Sequence, residues 1–378
     1  MKNIIKPTLL LDKARVIGNI DRMLEKARKS GVRFRPHFKT HQSASVGDWF
    51  KQRGVESITV SSLDMAGYFA QHGWKDILVA FPVNILEIDK INALAGNFHL
   101  HLLVESLETV WFLEEHLDEG NEVSVWIKID TGYRRTGLEY CQFKRIVEVA
   151  RRITDAKNLR LRGILTHAGQ TYQARSKSGI EAIYMETVNR MRAVQAELEA
   201  KGFEKIEISI GDTPSCSVVK DFSAVDEIRP GNFVLYDVTQ FTIGACREQE
   251  IAVAVACPVV AKHAERRELV IYGGAVHFSK EGISVSPGAA PIYGYVAGPI
   301  LKPGQELSES GWGTRLEQTT VTRLSQEHGI VQTCEAVWQQ IQIGDILLVL
   351  PVHSCLTVNL LRKFQTLDGE IVSCGTFS

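Results

Sequence analysis

The sequence predicts an α/β protein: a (β/α)8 barrel of the TIM type followed by a mostly β domain. Three observations predict it. The chain has 378 residues, 44% hydrophobic and 23% charged, which suits two globular domains at ~150 residues each, or one barrel of ~250 residues with an addition. Its first two thirds alternate strand-period and helix-period segments, as a parallel sheet with crossover helices requires. After about Gly244 the helical period fades, and Gly and Pro punctuate short apolar runs, as in S-P-G-A-A-P and L-K-P-G. An open doubly wound sheet is the rival, but no G-x-G-x-x-G follows any expected strand.

The elements follow in order. Asp12 can cap a helix whose apolar face is Ile17, Ile20, Leu24 and Ala27, with Gly31 beyond its end. Strands are expected at 32–38, 56–60, 77–81, 99–104, 123–129, 161–165, 206–210 and 225–228. Helices are expected from Leu63 to near Gly73, and over 85–95, 107–117, 142–153 and 180–200, with Gly96 and Gly202 as stops. Eight strands separated mostly by helices point to a closed barrel at 7–244. The second domain, 245–378 with the first six residues, shows strands at 251–256, 268–272, 318–324 and 346–350.

Composition excludes several functions. Forty-three basic residues against forty-four acidic ones give a net charge of −1, which disfavours nucleic acid or an anionic membrane as a bulk electrostatic partner. Seven scattered cysteines read as free thiols of a reducing compartment. The N-terminal apolar run is cut by Lys6, Pro7 and Asp12, unlike a signal peptide. No stretch reaches the ~18 apolar residues of a membrane span. The expectation is a soluble cytoplasmic protein.

Barrel active sites lie at the C-terminal ends of the strands. Five polar segments fall there: R-P-H-F-K-T-H-Q, D-T-G-Y-R-R-T-G, T-H-A-G-Q-T-Y, G-D-T-P-S and R-P-G-N-F-V-L-Y-D. Lys39 is a candidate Schiff-base lysine, with Arg35, His37 and His41 as cations near its amine; a solvated surface lysine is the alternative. Thr213 and Ser215, with Gly231 and Asn232, can make a phosphate site from the loops after strands seven and eight, or two ordinary turns. Arg135 can pair with an anion or with a surface carboxylate. In P-V-H-S-C-L-T, His353 and Cys355 follow an apolar strand and would share a face at i and i+2. An imidazole and a thiolate together suit zinc in an open site; a buried cysteine beside a hydrogen-bonded histidine is the alternative. Glu327 to Gly329, E-H-G, reads as a turn that can face the same region.

These segments resemble the D-serine dehydratase and D-threonine aldolase-like proteins, fold-type III pyridoxal phosphate enzymes related to the N-terminal barrel of alanine racemase. The likeness runs from T-L-L-L-D near the start to P-V-H-S-C-L-T-V-N-L. It implies that Lys39 holds the cofactor covalently and that Thr213, Gly231 and Asn232 bind its phosphate. It also implies that Tyr172 and His167 stand beside it, with Arg135 near its ring. His353 and Cys355 match the family's metal ligands, and the ion this implies is zinc. A homodimer and D-amino acid substrates are implied as well.

Some positions depart from the family pattern. Val352 and Leu356 replace a usual Asn and Pro around the His-Ser-Cys segment. The stretch around Gly273 lacks the usual acid, and Asp212 stands where Ser is frequent. The expected reaction is dehydration of a D-3-hydroxy amino acid to a 2-oxo acid and ammonia. Retro-aldol cleavage is the first alternative, disfavoured by His-x-Cys in place of His-x-Asp. A racemase and a non-catalytic cofactor-binding protein are the others.

Overall fold

The computed structural model describes residues 4–286, 288–308 and 310–377. The chain forms two units. One holds residues 21–39 and 47–231 with the C-terminal residues from Gly375; the other holds the described residues up to Ile20, residues 40–46 and residues 232–374.

The first strand, β1 (Thr8–Leu11), belongs to the second of these. The barrel is built from β2 (Arg33–Phe34), β3 (Ser57–Val60), β4 (Asp76–Pro82), β5 (His99–Val104) and β6 (Val123–Asp130). A two-residue strand, β7 (Leu138–Glu139), pairs with β6 off the main path. The barrel continues through β8 (Leu159–Thr166), β9 (Glu207–Ile210) and β10 (Glu227–Ile228), which pairs back onto β2. All neighbours are parallel. Closure comes where β2 runs on to a parallel bridge between His37 and Thr59. There Phe38 N–H donates to Thr59 O at 2.8 Å and Thr59 N–H to Pro36 O at 2.9 Å. The expected eight-stranded barrel is what forms. Gly163 shows how tightly β8 meets β9: a Cβ there would lie 2.1 Å from Glu207 O.

Contacts that skip a strand identify the barrel interior. Arg35 of the β2 run reaches Asp76 of β4, and Arg33 reaches Glu207 of β9. Side chains alternate faces along a strand, so three interior levels follow. The floor, at the strand N-terminal ends, holds Arg33, Arg35, Asp76, His101, Glu207 and Glu227. The middle is the apolar cluster Leu78, Leu103, Trp126 and Leu165. The mouth holds Lys128, Asp130 and His167, at or just past the strand C-terminal ends.

The helices sit close to expectation, at Lys13–Ser30, Leu63–Gln71, Leu107–His116, Phe143–Asp155 and Lys177–Ala200. The stop at Gly202 has φ +89°. In the first helix Val16, not Ile17, takes the buried position. A helix at Ala44–Lys51 was not expected. Residues 85–95 are a 3-10 turn (Ile85–Glu87) leading into a helix (Ile88–Ala95).

The second unit is an antiparallel barrel. Its strands are β11 (Val253–His263), β12 (Glu268–Tyr272), β13 (Gly294–Leu301), β14 (Arg315–Leu324), β15 (His328–Gln332) and β16 (Ile346–Pro351). They close as β12-β15-β14-β13-β16-β11, with β11 pairing back onto β12. The closure is possible because β11 is eleven residues long and bulged between Val259 and Ala261, so its two halves serve different partners. β1 extends this sheet beside β11, followed by β17 (Lys363–Thr366) and β18 (Ile371–Ser373). β13 and β15 were not expected from the sequence. E-H-G turns from β14 into β15, with His328 opposite Tyr272. No helix among the described residues is long and apolar enough to cross a membrane.

Candidate active site

The barrel mouth gathers cations. Lys39 follows the bridge residue His37 and is exposed. Lys128 is buried on β6, with Nζ donating to Ile129 O at 3.0 Å. Burial, then the charges of Arg229 and Arg135, pull its ammonium down to about 7. Arg229 lies inside the barrel, donating from Nε to Ser209 Oγ at 2.7 Å and from its terminal nitrogen to Thr166 O at 2.5 Å. Gly211 is what admits it, since a Cβ there would come within 2.9 Å of Arg229 Cβ. Arg135 stacks over Tyr133 at 5.2 Å.

His167 sits among these charges. Burial lowers it to about 3, and Lys39, Arg135 and Lys128 push in the same direction. Its ring is therefore neutral at pH 7. Nδ1 faces Gly211 O; a carbonyl only accepts, so Nδ1 carries the proton and Nε2 is an acceptor. Tyr172 lies in the 3-10 turn Gly169–Gln173, its ring centroid 6.3 Å from that of His167.

The G-D-T-P-S segment begins the short helix Thr213–Val218. Asp212 is its cap, with Oδ1 accepting Ser215 N–H at 2.7 Å and the Thr171 hydroxyl at 3.0 Å. The unexpected acid thus has local partners, though burial still raises it to about 6. Thr213 Oγ1 is buried and has no hydrogen-bond partner among the described residues. A cationic mouth with an unsatisfied buried hydroxyl is suited to an anion such as a phosphate.

Two of the cations expected beside Lys39 do not serve there. Arg35 is on the floor, with Nε on Glu227 at 2.8 Å and Nη1 on Asp76 at 2.5 Å. His41 is fully buried, lowered to about 3 by burial, and its Nδ1 accepts Ser43 N–H at 3.1 Å. It carries no charge at neutral pH.

His353 and Cys355 belong to the other unit. They do not lie on a strand: β16 ends at Pro351, His353 is the residue before the helix Ser354–Leu361, and Cys355 is in its first turn. The shared-face argument therefore fails, yet the helix start brings the two together, with Cys355 hydrogen-bonded to His353. Buried Asp237 pins the turn. Its Oδ2 accepts Ser354 N–H at 3.1 Å and Asn232 Nδ2–H at 2.6 Å. The same Asn232 nitrogen stands 3.5 Å from Cys355 Sγ, and Thr40 Oγ1 is 3.4 Å from it, so both can donate to a thiolate. The Asn232 side-chain nitrogen is thus committed to this turn, and its Oδ1 cannot donate, so only the main chain is left for a phosphate. His353 Nδ1 lies 2.6 Å from Glu281 Oε2. Burial lowers the imidazolium, but Cys355 and Glu281 outweigh it, and the group is raised well above its usual value. Glu281 had no signal in the sequence beyond being an acid in a Gly-rich segment.

A second donor group lies on the barrel floor: Asp76, His99 and His101 have ligand atoms within 4.8 Å of one another. It is poorly suited to a metal. The Trp126 indole N–H, which can only donate, points at His101 Nδ1 at 3.2 Å. Neutral His101 then keeps its proton on Nε2, which faces Asp76 Oδ1 at 2.9 Å. Neither nitrogen has a lone pair to give.

Comparison with known proteins agrees with this architecture. The family model described as alanine racemase, N-terminal domain, matches residues 11–238, well over half of the chain. The chain belongs to this family. A second model, putative serine dehydratase domain, matches residues 252–367. The chain is similar to D-serine dehydratase of Dictyostelium discoideum, 26% identical over 98% of this chain and 95% of the relative. It is 28% identical to D-threo-3-hydroxyaspartate dehydratase of Delftia sp. (strain HT23), over 97% and 95%. The solved structure of that Delftia enzyme superposes with a TM-score of 0.89 at 25% identity, covering 99% of this chain and 98% of it. A 3-hydroxy-D-aspartate aldolase of Paracoccus denitrificans (strain Pd 1222) is 24% identical over 93% and 86%. Solved forms of a D-threo-3-hydroxyaspartate dehydratase include a cysteine-to-alanine variant in the metal-free form and a histidine-to-alanine variant.

Proposed function

We propose that the protein is a pyridoxal phosphate- and metal-dependent lyase that dehydrates a D-3-hydroxy amino acid to a 2-oxo acid and ammonia. The observation that carries the reading is the His353–Cys355 pair, set at a helix start and held by Asp237. A racemase or a cofactor carrier has no use for such a donor pair. The cofactor is taken to sit on residues 7–244 and the metal donors on 245–378.

The chain's residues fit both groups. Lys39 Nζ would hold pyridoxal phosphate, with Thr213 Oγ1, Gly231 and the Asn232 main chain around the phosphate, Arg135 near the ring, and His167 and Tyr172 beside it. The cationic mouth and the unsatisfied Thr213 hydroxyl support this. When bound, the cofactor supplies an electron sink for charge developing at Cα. Lys39 is the base for the Cα proton. His167, neutral and fixed by Gly211 O, contributes an acceptor nitrogen and no charge. His353 and Cys355 would hold a divalent cation, whose Lewis acidity when bound assists loss of the β-hydroxyl. Thr40 directly follows Lys39 in the chain and carries the hydroxyl near Cys355 Sγ. The same reading takes the metal as zinc and the assembly as a homodimer on the strength of the family likeness, and the location as cytoplasmic on the scattered cysteines.

The test is to incubate the cofactor- and metal-replete protein with D-serine, D-threonine and D-threo-3-hydroxyaspartate and identify products. From D-threonine, 2-oxobutyrate and ammonia support the dehydratase. Glycine and acetaldehyde instead would make it an aldolase, the activity named for the Paracoccus relative. Cofactor absorbance with no turnover of any of the three would leave a binding protein.

A further inference from the structure

Glu281 reaches His353 from 72 positions earlier in the chain. It follows the short helix Ala275–Phe278, where the backbone turns at Ser279. Ser279 has φ 71° and ψ 175°, a region adopted readily by glycine alone. Its Oγ accepts Glu281 N–H at 3.2 Å. A serine is thus held in a costly conformation at the bend that delivers Glu281, and such outliers gather at functional sites.

We propose that Glu281 is a positioning residue for the metal: it accepts a hydrogen bond from His353 Nδ1–H and so leaves the Nε2 lone pair for a divalent cation that Cys355 would also hold. This rests on the metal-dependent reading above. A neutral imidazole can ligate through one nitrogen only, and what the other nitrogen meets decides which. At His353 the partner of Nδ1 is a carboxylate, which accepts. At His101 the partner of Nδ1 is the Trp126 N–H, which donates and blocks ligation. In these two histidine–carboxylate groups the tautomers separate a metal donor from a structural one. Glu281 is not itself placed as a ligand. Its oxygen is 2.6 Å from Nδ1, whereas two ligands with ~2.0 Å bonds around a tetrahedral ion stand roughly 3.3 Å apart.

The test uses the full-length, metal-depleted protein titrated with Co2+, read by its d–d and thiolate charge-transfer bands, and with Zn2+ in competition with a chromophoric chelator. His353→Ala and Cys355→Ala mark the loss of a ligand. Glu281→Ala should bind both ions about 10- to 100-fold more weakly, with the cobalt spectrum unchanged. Glu281→Gln, whose amide oxygen can still accept the Nδ1 proton, should recover most of that loss. Wild-type affinity in Glu281→Ala, a Gln variant no better than the Ala variant, or an altered cobalt spectrum in either overturns the proposal. A wild-type protein that binds neither ion overturns it together with the metal-dependent reading, and that failure shows before any variant is compared.

Discussion

Replacing Asp212 with Asn should stabilise the protein, and only above acidic pH. Asp212 is 3% exposed and caps the helix Thr213–Val218. Asn keeps a side-chain oxygen for Ser215 N–H and the Thr171 hydroxyl, and is as good a cap. What it removes is a buried negative charge. Burial raises the carboxyl from 3.8 to about 6 in the fold, so between these values the folded state binds a proton that the unfolded state has released. The wild type is unpenalised below about pH 4, loses stability as pH rises to about 6, and stays level above. Two units correspond to at most ~3 kcal/mol. Urea unfolding of Asp212→Asn beside the wild type should show near-equal stabilities at pH 4 and an advantage of up to ~3 kcal/mol for the variant at pH 8. On the phosphate site proposed at Thr213, the variant should also bind pyridoxal phosphate more tightly at pH 8, since it lacks a negative charge one residue away. A variant less stable than the wild type at pH 8, or a difference that ignores pH, refutes the reasoning.

Two further outcomes are expected. Glu227 is fully buried on the barrel floor, its Oε2 accepting from Arg33 Nε at 2.6 Å and Arg35 Nε at 2.8 Å and its Oε1 from Ser209 Oγ at 2.6 Å. Glu227→Gln leaves these guanidinium groups short of an anion and should cost ~3–5 kcal/mol in urea unfolding. Despite its burial, the arginines hold this carboxyl down at about 2, so the wild type alone should lose that stabilisation as pH falls from about 4.5 towards 2. Cys355→Ala should abolish 2-oxo acid formation while the cofactor's visible absorbance persists. Chelation of the wild type should do the same, reversibly on metal return; full activity in metal-free wild type would remove the metal from the reaction.

The barrel strands were legible because a strand covered on both faces is a near-continuous apolar run, as in Ile77–Val79 and Val123–Ile129. The mouth was legible because its residues follow those runs directly. The helix Ala44–Lys51 was not. It starts just past the polar R-P-H-F-K-T-H-Q stretch and carries Gly47, a poor helix former kept small where Phe38 passes 3.2 Å from the site of a Cβ. β13 was hidden by its own composition, G-Y-V-A-G-P-I-L. His353 and Cys355 were found by residue type but given strand geometry, since nothing local shows that the apolar run stops at Pro351. Glu281 and the floor's arginine–carboxylate pairs were missed for one reason: their partners are 41 to 194 positions away, and a single sequence does not state pairings at that range.

The two ends of the barrel interior make opposite uses of charge. On the floor, Arg33 and Arg35 meet Asp76, Glu207 and Glu227, and the ion pairs are complete within the chain. At the mouth, Lys39, Lys128, Arg135 and Arg229 outnumber the acids. Asp130 spends Oδ1 on the N–H groups of Gly132 and Arg134, and Asp212 spends its own on a helix start. Of these cations Lys128 and Arg229 are buried, and burying like charges costs free energy that an anionic ligand recovers. Lys128 sits within this excess, lowered to about 7 by burial first and then by Arg229 and Arg135. The floor's charges pair across the barrel interior, whereas the mouth carries more cations than acids.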